Sequence, residues 1–136
     1  MKLKGNAAGI AEAVLALLLT VGSLTVFRAC DSAEGRYMAC HWAQNAVTLA
    51  GTVLTVQSLL RIVIRNKGVG TGLSLGIFTL AASLTILPKT VISLCMMETM
   101  RCHTVFRPAV IVISVLLAAV SGIDAATGLI RTGKDK

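Results

Sequence analysis

Charged and aromatic residues are scarce in this sequence. Of its 136 residues only 14% are charged and 4% are aromatic, whereas 55% are hydrophobic, and the mean hydropathy is +0.81. A small water-soluble domain leaves much of its surface exposed and needs more polar residues than this. The composition therefore excludes an ordinary soluble enzyme and a disordered chain, and it predicts a single integral membrane domain over residues 1–136.

Catalytic motifs are also missing. The sequence has no Gly-rich phosphate loop, no G-x-S-x-G and no H-E-x-x-H, so nothing in it indicates hydrolysis or phosphate chemistry. The net charge of +7 does not indicate nucleic-acid binding, because the basic residues lie at the ends of apolar runs and not along a polar face. We expect a non-enzymatic protein that contacts the lipid bilayer and other membrane proteins.

Four apolar runs are long enough to cross a hydrocarbon core, which is about 30 Å thick. They do not alternate with a period of two residues, so they predict helices rather than barrel strands. The first run is longer than the apolar segment of a signal peptide, and we expect it to stay as a helix. The prediction is an all-α membrane protein of two helical hairpins, with spans at 7–27, 43–64, 69–87 and 109–130.

The basic residues predict the orientation. Eight of the 13 flank the two chain ends and the connection between the second and third runs. Because cytoplasmic segments are enriched in Lys and Arg, we expect both termini to be cytoplasmic. The loops 28–42 and 88–108 then lie outside the cytoplasmic membrane of a bacterium.

All four cysteines fall in these two outer loops, at Cys30, Cys40, Cys95 and Cys102. An extracytoplasmic environment is oxidising in many bacteria, so disulfides that brace the loops are our main prediction. Pairing within each loop and pairing between the loops both remain open, since four cysteines allow three connectivities.

A metal or haem site is an alternative interpretation of the same loops. His41 and His103 each follow a cysteine, and Met38 and Met100 lie close to them. Thiolate, thioether and imidazole groups suit copper, and cysteine with histidine suits zinc. A single histidine or methionine can also ligate haem.

Thiol redox chemistry is a further alternative. Four helices with two external cysteine pairs resemble the layout of the bacterial disulfide-bond-forming quinone reductases, which implies a quinone-linked thiol-disulfide oxidoreductase. Those proteins use a C-x-x-C pair, whereas the spacings here are C-x9-C and C-x6-C.

Small residues spaced by four occur in the last two runs, at Gly68, Gly72 and Gly76 and at Ala118, Gly122 and Ala126. Such faces let helix backbones approach closely in lipid. They predict either a tight bundle or a surface that binds a partner helix.

Three charged residues lie inside the apolar runs: Glu12, Arg61 and Asp124. Charges within a bilayer are costly and are usually paired or functional. Two interpretations remain open: an internal ion pair, or side chains that extend to the nearby interface.

The strings at residues 37–42, Tyr-Met-Ala-Cys-His-Trp, and at 100–104, Met-Arg-Cys-His-Thr, repeat an M-x-C-H pattern in the two outer loops. With them the chain resembles the DUF4418 group, small bacterial four-helix membrane proteins of unknown function. The resemblance implies an accessory role beside the permease and ATPase of an ABC transporter. A homo-oligomer is the other assembly that we consider.

Overall fold

The computed structural model describes residues 2–26, 39–87, 90 and 102–136, with side chains for 7–26, 41–87, 90 and 104–136. The described residues form four α-helices and no strand. The helices are α1 (Lys2–Leu24), α2 (Ala39–Val63), α3 (Lys67–Ile86) and α4 (Arg107–Lys134), and a π-helical turn at Cys102–Phe106 leads into α4. The predicted all-α fold is confirmed.

Each helix is long and apolar enough to cross a membrane, over Ala7–Leu24, His41–Val63, Lys67–Ile86 and Thr104–Lys134. These segments overlap the four apolar runs of the sequence, and the helices extend beyond the runs. The backbone at 39–42 and 102–108 is helical, whereas the sequence predicts loop at these positions. At its other end α4 continues to Lys134, where Arg131 and Lys134 lie in the last turn and interact favourably with the helix dipole.

The helices form a ring in which each packs against the next and α4 packs against α1. The contacts show that α1 and α2 are antiparallel, because Gly9 lies beside Ile62 and Gly51 lies beside Thr20. Helices α3 and α4 are antiparallel in the same way. The start of α1, the connection at 64–66 and the end of α4 therefore lie together, at what we call the connection end of the bundle.

Buried positions recur every three or four residues along each helix, and many of them are small or hydroxylic. In α2 the buried residues are Ala43, Val47, Gly51, Leu54 and Ser58. Large apolar side chains instead face outward, for example Leu49, which is 72% exposed. This arrangement reverses that of a water-soluble bundle, and it suits lipid, where close packing of small residues drives helix association.

Glycines allow the two hairpins to close tightly. A Cβ atom at Gly51 would lie 2.6 Å from Thr20 Oγ1 and 3.4 Å from Thr20 Cα, and one at Gly128 would lie 2.5 Å from Thr71 Oγ1. Hydrogen bonds add to the contact between α1 and α2, where the hydroxyls of Ser23 and Thr48 are 3.0 Å apart. A larger residue at either crossing would force Thr20 or Thr71 to move.

Only some residues of the small-residue faces predicted from the sequence lie in contacts between helices. Gly76 faces Gln57 of α2, and Gly122 packs against the Phe78 ring. A Cβ at Gly72 would meet nothing within 4 Å among the described residues, and one at Gly68 would meet only the side chain of Asn66. On α4 Ala118 packs against the core, whereas Ala126 is exposed.

Candidate functional site: a charged cluster shared by four helices

The three charged residues of the apolar runs meet inside the bundle, near its connection end. Arg61 of α2 donates from Nη1 to Glu12 Oε2 of α1 and from Nη2 to Asp124 Oδ2 of α4. The Glu12 side chain is 0% exposed, that of Arg61 9% and that of Asp124 19%. Of the two arrangements that the sequence left open, the structure has the ion-paired one.

The direction of α2 explains why Arg61 extends inward although it is only two residues from the helix end. Side chains on a helix lean toward its N-terminus, and the N-terminus of α2 lies at the opposite end of the bundle. Position 61 also continues the buried face of α2, three residues after Ser58. The guanidinium is therefore carried into the bundle core and not to the interface.

The fourth helix contributes a hydroxyl. Ser74 of α3 is fully buried. Its Oγ lies 3.1 Å from Asp124 Oδ2 and 3.0 Å from the Gly70 carbonyl oxygen, so its one hydroxyl hydrogen is shared between these two acceptors. Sequence reasoning missed Ser74. Its only signal was a hydroxyl on the buried face of α3, three residues before Ile77.

Each helix thus provides one polar side chain to a single cluster, which we call the four-helix cluster: Glu12, Arg61, Ser74 and Asp124. It contains two carboxylates and one guanidinium, so its ionised form carries a net charge of −1. Inside a bundle of low dielectric constant these groups interact strongly, and a charge left uncompensated is expensive. The cluster can therefore fix the mutual positions of all four helices and attract a further positive charge.

One carboxylate oxygen of the cluster is unsatisfied. Glu12 Oε1 is buried and has no hydrogen-bond partner among the described residues, and the same holds for Gln57 Oε1. Gln57 precedes Arg61 by four residues and so lies on the same side of α2. Buried polar atoms are nearly always paired, so a donor or a cation is expected at the free oxygen of Glu12.

Most of the cysteine, histidine and methionine candidates have side chains that the structure does not describe. Cys30, Cys95, Met38 and Met100 fall outside the described residues, and for Cys40, Cys102 and His103 only the helical backbone is described. His41 lies in the first turn of α2, where its Nε2 is 3.3 Å from Asn45 Nδ2. The disulfide, metal, haem and redox interpretations therefore remain predictions.

The backbone does bring part of the repeated motif to one end of the bundle. Cys40 lies at the start of α2, and Cys102 and His103 lie in the π-helical turn that precedes α4. Both elements begin at the end opposite the connection end. The described residues hold no group of three or more His, Cys, Asp or Glu side chains that suits a metal ion.

Comparison with known proteins identifies the family. Residues 12–127 match the family described as "Domain of unknown function (DUF4418)". No curated protein and no solved structure matches the chain. The match covers α2, α3 and parts of α1 and α4, and it includes every member of the four-helix cluster. The chain therefore belongs to the DUF4418 family.

Proposed function

We propose that the protein is a non-enzymatic accessory membrane protein that packs sideways against the membrane helices of a partner, such as the permease of an ABC transporter. The observation that carries this proposal is the pair of outward-facing glycines Gly68 and Gly72 on α3, which we call the open glycine face. Gly72 is exposed, and a side chain there would meet nothing within 4 Å among the described residues. Small residues on an outward face allow another helix to approach closely in lipid.

The transporter as partner rests on the family resemblance, which implies a subunit that accompanies a permease and an ATPase. The apolar outer surface of the bundle supports a partner within the membrane, because large side chains such as Leu49 and Ile123 face outward. Exposed Arg65, Lys67 and Arg131 at the connection end support a cytoplasmic position for that end. The cysteine loops are then extracytoplasmic, in the inner membrane.

Purification from native membranes in a mild detergent tests this proposal. The tagged wild-type chain is compared with Gly72→Leu and, as a matched control, Gly133→Leu. A Cβ at Gly133 likewise meets nothing within 4 Å, and Gly133 is exposed near the end of α4, so the control adds the same side chain on another helix. We expect a permease to co-purify with the wild type and the control, and its recovery to fall at least fivefold for Gly72→Leu.

Two results would contradict the proposal. If the permease were recovered equally with all three chains, it would not bind through the glycine face. Recovery of only a second copy of this chain would replace the transporter partner by the homo-oligomer.

We also propose that the four cysteines form two disulfides that brace the extracytoplasmic loops. The intact mass of the denatured protein should then be lower by four hydrogens than the mass after reduction. Disulfides that are inert toward quinone support the brace. Cysteines that cycle with a quinone would favour the oxidoreductase, and free thiols with extra native mass would favour copper, zinc or haem.

A further inference from the structure

We propose that the four-helix cluster is a binding site for one monovalent cation, a proton or Na⁺, at the free oxygen of Glu12. The inference concerns the bundle interior and does not depend on a partner protein. It rests on three observations: the net negative charge of the cluster, the unsatisfied oxygen of Glu12, and the complete burial of the Glu12 side chain.

The charge balance requires one positive charge. Glu12 and Asp124 share a single guanidinium, because Arg61 donates one nitrogen to each. Burial of an isolated charge is strongly unfavourable, and a group in that situation acquires a counter-charge or becomes neutral. One added positive charge makes the cluster neutral.

The groups that face Glu12 from the other helices do not supply this charge. Helix α2 contributes Arg61, α4 contributes Asp124, and α3 contributes only the neutral hydroxyl of Ser74. Lys67, at the start of α3, is exposed. The charge has to come from outside the described cluster.

The unsatisfied oxygen of Glu12 identifies where the cation binds. Glu12 is 0% exposed, and its Oε1 has no donor among the described residues. A proton on Oε1 turns an orphaned acceptor into a donor, and Na⁺ satisfies oxygens directly. A divalent cation fits poorly, because it would change the net charge of the cluster from −1 to +1.

The experiment has two arms on the purified full chain in detergent micelles. In the first, the melting temperature is measured in choline chloride as Na⁺ replaces choline at constant ionic strength. In the second, infrared spectra in Na⁺-free buffer at neutral pH are searched for the carbonyl stretch of a protonated carboxyl group. Ligands that bind the folded state raise its stability with their concentration, so the first arm detects Na⁺ and the second detects a proton.

Variants assign the site. Glu12→Gln and Asp124→Asn each leave one carboxylate for Arg61, so either should abolish the Na⁺ dependence or the protonated-carboxyl band. Ser114→Ala is the matched control, because Ser114 Oγ is also buried without a partner among the described residues. It lies ten residues from Asp124, about 15 Å along α4, and this variant should retain the wild-type signal.

The wild-type measurement decides the proposal even if a variant fails to fold. A melting temperature that rises with Na⁺ identifies Na⁺, and a protonated carboxyl without Na⁺ dependence identifies a proton. A wild-type chain that shows neither signal would overturn the proposal, as would a signal that survives both Glu12→Gln and Asp124→Asn.

Discussion

Removal of the shared guanidinium is the most informative perturbation of this bundle. Arg61→Met keeps most of the side-chain volume but leaves Glu12 and Asp124 without their common partner. Loss of one member of a buried ion pair typically destabilises a protein by about 3–5 kcal/mol, because an uncompensated charge remains buried. Glu12 is 0% exposed and Arg61 only 9%, so we expect Arg61→Met to lie within this range.

The free energy of unfolding can be measured by circular dichroism as SDS is added to mixed micelles. Arg65→Met is the matched control: it removes an exposed arginine one turn further along the chain, and we expect a change within about 0.5 kcal/mol. The triple variant Glu12→Met, Arg61→Met and Asp124→Leu replaces all three charges by apolar side chains of similar volume. It should recover more than half of the loss, because such a replacement of a buried ion pair is often nearly neutral.

A loss of about 1 kcal/mol or less for Arg61→Met would refute this reasoning, since that is the contribution of an exposed ion pair. It would mean that the three side chains are solvated at the interface. If the triple variant did not recover stability, the destabilisation by Arg61→Met would not arise from an unpaired charge. It would arise from lost packing of the aliphatic part of the Arg61 side chain.

Three further substitutions test the surroundings of the cluster by the same SDS titration. Ser74→Ala removes a donor to a carboxylate at 3.1 Å and should cost about 1.5–3 kcal/mol; a change near zero would show that Asp124 does not need it. Gly51→Leu should prevent the close approach of α1 and α2 at Thr20 and destabilise the fold severely, whereas Gly72→Leu should change its stability little; equal effects would contradict the packing described. Ser114→Ala removes an unpaired buried hydroxyl and should be neutral or stabilising by about 1 kcal/mol, so a marked loss would reveal a partner for that oxygen.

The four helices were predictable because the constraint that produces them is simple. A continuously apolar run of about 20 residues must form a helix to satisfy its backbone in lipid. The ends of the helices were less predictable, because hydropathy indicates which residues contact lipid and not where the helical hydrogen bonds stop. Thus α2 begins at Ala39 and α4 runs to Lys134, where the chain is no longer apolar.

The members of the cluster were partly predictable. Charges within apolar runs are conspicuous, so Glu12, Arg61 and Asp124 were evident as candidates, but the sequence does not say which helices adjoin. Ser74 was not evident, because serines in membrane helices commonly bond to their own backbone. The spacing of Ser58 to Arg61 and of Ser121 to Asp124 was the unused signal, since both charges continue a buried face.

Arg61 bridges Glu12 and Asp124 across the bundle core. Solid-state NMR of the protein in lipid bilayers, with ¹⁵N in arginine side chains and ¹³C in carboxyl groups, measures this contact directly. We predict that the Arg61 guanidinium nitrogens couple to the side-chain carboxyl carbons of both Glu12 and Asp124, and that both couplings disappear in Arg61→Met. Coupling to only one carboxyl, or to neither, would contradict the four-helix cluster.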